Sequence, residues 1–173
     1  MVLEVQNDKA LILSKYVIEE RKYNENRRDV TWETCTLRKY LNGEFLRKFT
    51  DEHQRKVAET RIANKKNPWY GAKGGSGTND RIFLLSIEEV VKYFGNSGQL
   101  VNRKSKGQYL IDDNYNSARA ATDTGGKACW WWLRSPGLLS IYAANVRDGG
   151  DVNVSGLFVN LGGGIRPALW LHL

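Results

Sequence analysis

The sequence predicts a single α+β domain, and three observations carry that reading. Apolar, β-type runs at residues 2–5 and 10–13, separated by Gln6-Asn7-Asp8-Lys9, form an opening hairpin pattern. Helical spacing and capping signals dominate residues 31–94. From Cys129 onward the chain becomes aromatic, valine-rich and glycine-rich, as strands joined by turns require. A length of 173 residues suffices for one domain with its own core. The expected arrangement is N-terminal helices packed on a mixed or antiparallel sheet, with a scaffold half at 1–127 and a loop-rich, motif-bearing half at 128–173.

In chain order, Trp32, Cys35, Leu37, Tyr40 and Leu41 recur at helical spacing from Thr31 onward, and Asn42-Gly43 supplies a stop. A short second helix is expected at 44–49. Thr50 has the character of an N-cap, with Asp51 and Glu52 in the first turn where they complement the helix dipole, and this third helix should end near Glu59. Residues 61–80 form a polar, glycine-rich loop anchored by Trp69 and Tyr70. Its GAKGGSGT stretch lacks the Gly-Lys-Ser/Thr ending that reaches phosphates, which leaves it a flexible loop. Residues 82–85 predict a strand. Ser86-Ile87-Glu88-Glu89 has capping-box form and starts a helix through Phe94, with Val90, Val91 and Phe94 facing inward. Asp112, Asp113 and Asn114 lack EF-hand spacing and predict a turn. Residues 129–133 predict an aromatic strand whose tryptophans alternate between core and surface. Val146/Val152 and Val159/Ile165 mark two hairpin-like units, and residues 165–171 a final core strand.

The chain carries 26 basic and 19 acidic side chains and a net charge of +7. Beyond Lys127 the only charges are Arg134, Arg147, Asp148, Asp151 and Arg166, so the basic excess belongs to the scaffold half. There the charges alternate in sign, which predicts a solvated mixed surface and no nucleic-acid face. No apolar run approaches the ~20 residues needed to cross a bilayer, and the N-terminus lacks a signal-peptide layout, so a soluble chain without membrane insertion is expected. Opening directly on a strand is the pattern of a domain trimmed from a larger polypeptide. Cys35 and Cys129 form neither a disulfide framework nor a zinc-type cluster, and both are expected as small buried hydrophobes. With His53 and His172 lacking obvious partners, the expectation is no metal, no cofactor and no enzyme activity.

Several motifs together carry a resemblance: VTWETCTLRKYLNGEF, IFLLSIEEVVKYF, WWWLRSPG, Ala143-Ala144, Gly156 and GGGIRPALWL. They resemble a widespread domain of unassigned function in bacterial and viral genomes, similar in turn to the C-type lectin-like variable proteins of diversity-generating retroelements. The resemblance spans nearly the whole chain. It implies a C-type lectin-like fold whose C-terminal surface binds a protein or cell-surface ligand, displayed on a cell or virion. In such systems adenine-directed mutagenesis rewrites selected codons, commonly those of Asn, while scaffold codons stay fixed.

Randomising the two leading adenines of an AAC-type codon cannot yield Lys, Glu, Gln, Met or Trp. None of the five occurs at residues 138–164, where their 34 positions in the chain would place about five. Turn-rich β segments disfavour most of these residues as well, so the absence is compatible with either origin. By motif match, recognition falls within a variable segment of about 138–163. Leu138, Leu139, Ile141, Tyr142, Leu157, Phe158 and Leu161 would supply contact area, and Asn145, Arg147, Asp148, Asp151, Asn153 and Ser155 directional polar contacts. Val146, Val152, Val159 and Ile165 would form the frame, and Arg166 is expected to be structural.

Two other functions are compatible with parts of the pattern. The lectin-like fold also resembles formylglycine-generating enzymes, which use a cysteine pair, but their catalytic motif is not recognisable here. The Glu-Pro-Asn and Gln-Pro-Asp ligand motifs of calcium-dependent lectins are absent. A structural module of a surface or phage-tail protein is the remaining alternative.

Overall fold

The computed structural model describes residues 1–173. Its elements are β1 (Val2–Gln6), β2 (Lys9–Leu13), β3 (Glu19–Lys22), α1 (Thr36–Tyr40), α2 (Asp51–Lys56), β4 (Val57–Ala58), β5 (Thr60–Ile62), β6 (Thr78–Asp80), α3 (Ile87–Tyr93), β7 (Leu110–Ile111), α4 (Asn116–Arg119), β8 (Trp131–Pro136), β9 (Tyr142–Val146), β10 (Val152–Phe158), β11 (Gly162–Ile165) and β12 (Ala168–His172). They build a four-stranded sheet in the order β1-β2-β12-β4, a six-stranded sheet in the order β3-β11-β8-β9-β10-β7, and a β5-β6 ribbon. Every pairing is antiparallel except β8 with β11. The fold is therefore a mixed α+β arrangement, with helices in the N-terminal half and most strands of the larger sheet in the C-terminal half. A single cluster of 34 buried apolar side chains runs through it, from Leu11 to Leu169.

Local signals set several boundaries. The opening hairpin forms as expected, turning at Asn7 with φ of 51°. Thr50 caps α2 by accepting from the His53 amide, and at α3 both halves of the Ser86–Glu89 capping box are present. Val90, Val91 and Phe94 are buried.

The expected helix from Thr31 begins later, at Thr36. Residues 31–34 are held in a turn, and the Cys35 thiol caps the helix by accepting from the Arg38 amide. Asn42-Gly43 does not stop it, and the short helix expected at 44–49 is present only as a 3-10 turn continuous with what precedes it. The chain continues through a π turn (Leu41–Phe45) and a 3-10 turn (Leu46–Lys48). Asn42 explains the continuation: its amide donates to the Arg38 and Ile82 carbonyls, and its oxygen accepts from the Arg81 and Ile82 amides. A side chain with four partners favours the geometry that keeps them. The third helix ends at Lys56 because Val57 and Ala58 join β12 as a short edge strand. Residues 82–85 are buried but form no strand of a sheet: Phe83 bridges Ala168 of β12, and the Arg134 amide of β8 donates to the Leu85 carbonyl.

In the C-terminal half, Val146 and Val152 face one another across the β9-β10 hairpin, as expected. The second expected hairpin, Val159 with Ile165, is not formed. Residues 162–165 cross over and run between β3 and β8, parallel to β8. The tryptophans do not alternate between core and surface: Trp131 and Trp132 are both fully buried, because material covers both faces of β8. Gly163 permits the crossover, since a Cβ there would lie 2.1 Å from Trp130.

Register shifts interrupt β8-β9 after Trp132 and β9-β10 after Asn153, displacing backbone groups that must find other partners. Asn67, wholly buried in the long loop, supplies them. Its amide donates to the Pro136 and Val154 carbonyls, both at 2.8 Å, and its oxygen accepts from the Trp69 and Tyr70 amides. Replacing Asn67 with Ala orphans two buried carbonyls and two amides. Chemical denaturation of that variant should show a loss of about 3 kcal/mol or more.

The smaller sheet is also tied to α3 by charge. On β1, Glu4 accepts from Lys92 and Tyr93 of α3, and these bonds lower its carboxyl pKa from 4.5 to about 2. A depressed folded-state pKa contributes stability that is fully present above pH 4.5 and lost as pH falls toward 2. Denaturant midpoints taken across that window should fall more steeply for the wild type than for Glu4→Gln, with the curves converging at the acid end.

Candidate functional site: an apolar patch on a bulged hairpin

The frame positions predicted from spacing, Val146, Val152, Val159 and Ile165, are all fully buried. The residues expected to take part in recognition divide into three groups.

The first group forms one surface. Leu138, Leu139 and Leu161 are 41 %, 55 % and 42 % exposed. Beside them Tyr142 and Phe158 face one another across β9-β10 and stack, with ring centroids 4.5 Å apart and an interplanar angle of 25°. Ile141 and Ser155 are half-buried near this pair, whereas Leu157, expected with them, lies opposite the buried Ala143 and packs against the core. Backbone bonds knit the surface together: the Gly137 amide to the Tyr142 carbonyl at 2.8 Å, Leu138 to Ser155 at 2.7 Å, Tyr142 to Leu139 at 3.0 Å, Val159 to Ile141 at 3.1 Å and Leu161 to Phe158 at 3.0 Å. Apolar side chains are thus held outward on paired backbone. Gly156 makes the bend: its φ is +78°, and a Cβ would sit 2.4 Å from the Ala143 carbonyl oxygen.

The second group, Asn145 and Asn153, was expected at the surface and is buried instead. The Asn153 amide donates to Asn145 Oδ1 at 3.1 Å, and its own oxygen accepts from Ser155 Oγ and the Gly156 amide. Asn153 pairs the Gly156 amide that the β10 bulge displaces, and Asn145 holds Asn153 in place while its own amide nitrogen is buried without a partner.

The third group, Arg147, Asp148 and Asp151, lies at the opposite end of the hairpin. Tyr142 pairs with Phe158 at one end and Val146 with Val152 at the other, four residues or roughly 13 Å along the strand. Arg147 is engaged within its own turn, 3.3 Å from Asp151, and its amide donates to the Asp151 carbonyl. These charges do not join the apolar patch.

One contributor comes from outside the segment that sequence reasoning marked. The Arg27 guanidinium lies 3.5 Å from the centre of the Phe158 ring. The bent segment around it is bonded to residues flanking the patch through the Asn24 amide to the Val159 carbonyl and the Val30 amide to the Ser140 carbonyl. Arg27-Arg28-Asp29 reads as an ordinary solvated charge run, and nothing in its local pattern marks a contact with a residue so distant in the chain.

The motif residues have structural explanations. Arg134 is buried, pairs with Glu89 and donates to the Leu84 carbonyl at 2.7 Å, locking the start of α3 onto β8. Arg166 donates to the Ser14 carbonyl at 3.1 Å, as a structural arginine should, and its burial lowers its pKa to about 10. Asp113 is bonded to the buried Arg119 and to Ser97, which hold its carboxyl below the usual range against the opposing effect of burial. No group of three or more His, Cys, Asp or Glu side chains converges as a metal site would require. Trp130 borders a different feature, a cleft of about 430 Å³ shared with Glu20, Asp123 and Cys129. No helix is long and apolar enough to cross a membrane.

The family model described as a domain of unknown function (DUF6273) matches residues 7–173. The chain belongs to that family. No curated protein and no solved structure matches it. In this DUF6273 chain the match begins inside the first hairpin and takes in the whole apolar patch, Asn67 and the Arg134–Glu89 pair.

The cysteines differ from one another. Cys35 is buried as expected, and burial pushes its thiol pKa up to about 12. Cys129, expected in the core, is half-buried, its thiol donating to the Lys127 carbonyl. Both are free, with separate hydrogen-bond neighbours. Iodoacetamide should therefore alkylate Cys129 in the native protein and Cys35 only after unfolding. Mass mapping of the labelled peptides checks this, and comparable native labelling at both sites would contradict it.

Proposed function

We propose that this chain is a recognition protein. Its C-type lectin-like scaffold presents the patch of Leu138, Leu139, Ile141, Tyr142, Phe158 and Leu161 to a protein or cell-surface ligand, and the codons of that patch are the ones that vary. The observation that carries this reading is the separation of roles within one short stretch. Every frame position is fully buried, while three leucines and a stacked aromatic pair between them reach solvent on hydrogen-bonded backbone. Exposed apolar groups clustered on a rigid support are what protein recognition requires, and aromatic rings supply contact area at low entropy cost. The missing residue types at 138–164 support the same reading from composition. On this account Asn145 and Asn153 belong to the frame, and Arg147, Asp148 and Asp151 to a separate turn.

The DNA flanking the gene tests the proposal. The expected finding is a reverse transcriptase gene and a template repeat that differs from codons 138–163 only at adenines. The differences should fall on the patch codons and spare those for Ala143, Ala144, Val146, Val152 and Val159. A repeat identical at the patch codons, or differing at random bases, would overturn the diversification reading. At the protein level, changing Tyr142, Phe158 and Leu161 together to Ser should shift the thermal midpoint by only a few degrees, because these side chains are half-buried or exposed. Collapse of the fold instead would mean that they serve the core.

A further inference from the structure

We propose that Arg27 completes the patch and, with the exposed Arg28 next to it in the chain, fixes the class of its partner: a protein segment carrying carboxylates beside apolar side chains. The inference rests on the recognition reading above and adds to it a constant electrostatic requirement.

Both arginines are exposed, and neither takes part in an ion pair within the chain. The nearby carboxylates pair elsewhere, Asp29 accepting from Ser140 Oγ at 2.6 Å and Glu25 lying 3.4 Å from Lys22, and neither forms an ion pair with these arginines. Arg27 is not a wandering surface cation. Its guanidinium lies 3.5 Å from the centre of the Phe158 ring, on a segment pinned by the Asn24 amide to Val159 and the Val30 amide to Ser140. A guanidinium placed over a ring keeps its N–H groups around the rim, where a carboxylate can accept two of them side by side.

The apolar centre decides between anionic partners. Leu138, Leu139 and Leu161 offer a nucleic-acid backbone nothing to bond with, whereas an acidic peptide with aliphatic or aromatic neighbours satisfies both parts of the surface. Arg27 and Arg28 also lie far outside residues 138–163. If the apolar centre varies from copy to copy, this basic rim does not, and the ligands of different variants would share acidic character.

The test is selection of a random-peptide display library on the folded wild-type chain. Enriched peptides are then measured against Arg27→Ala/Arg28→Ala and against the Tyr142, Phe158 and Leu161 to Ser variant, with folding of each confirmed by thermal unfolding. The expected result is enrichment of Asp or Glu next to aliphatic or aromatic residues. Binding of those peptides should weaken about tenfold or more in the double arginine variant and fall with added salt. Peptides without acidic residues that bind the arginine variant equally well, and lose binding only in the serine variant, would overturn this inference and leave the recognition reading standing. Peptides indifferent to the serine variant, or no enrichment at all, would overturn both. Arginine-dependent binding of polyuridylate or of phosphatidylserine vesicles, in the absence of acidic peptide binding, would replace the peptide with a different partner class and overturn the proposal.

Discussion

The patch depends on one buried carboxamide. Strands β8 and β10 leave regular pairing where the chain turns outward, and irregular backbone in an interior is stable only if its displaced polar groups are paired. Asn67 donates to one carbonyl on each of those strands and accepts two amides of its own loop, so a single side chain fastens the 63–77 loop between β5 and β6, shorter than the expected 61–80, and the two interrupted strands at one point. Asn153 repeats the device on a smaller scale at Gly156. Because such groups are buried, each bond is costly to leave unmade, and the bulge is held in one shape. The exposed side chains therefore sit on backbone that cannot easily relax. That property lets side chains change without the support changing.

Other polar links extend the same logic outward. Trp32 and Thr78 donate to one oxygen of the buried Asp80, and Arg38 binds the other, joining α1 to the β5-β6 ribbon. Arg134 and Glu89 join β8 to α3. The N-terminal half thus works as a brace for the larger sheet. Its connection to the patch is direct at residues 24–30, where two backbone bonds and a cation over an aromatic ring bring Arg27 to a surface whose other residues come from the C-terminal half.

What was legible in the sequence is what local chemistry determines. Thr50, Ser86 and Glu89 announce their helix starts because a cap needs only residues three apart. Val146, Val152, Val159 and Ile165 announce the frame through spacing and burial. The misreadings arise where a distant partner decides. Asn42-Gly43 looks like a helix stop until Asn42 meets Arg81 and Ile82. Val159 and Ile165 look like a hairpin until Gly163 lets the chain pass beside Trp130 to pair with β3 and β8. Asn145 and Asn153 look like surface polar residues, because nothing in their neighbourhood reveals a bulge that needs them. Arg27 carries no signal at all, since its relation to Phe158 exists only in the folded chain.

The central claim is that frame and surface are separable within residues 136–165. Saturation mutagenesis of that stretch, scored by protease resistance of the displayed domain and so independent of any ligand, tests it most directly. The account predicts broad tolerance at Leu138, Leu139, Tyr142, Phe158 and Leu161, and sharp intolerance at Ala143, Ala144, Asn153, Val154, Gly156 and Gly163. Uniform sensitivity across both sets, or tolerance at the buried asparagine and glycines, would contradict it.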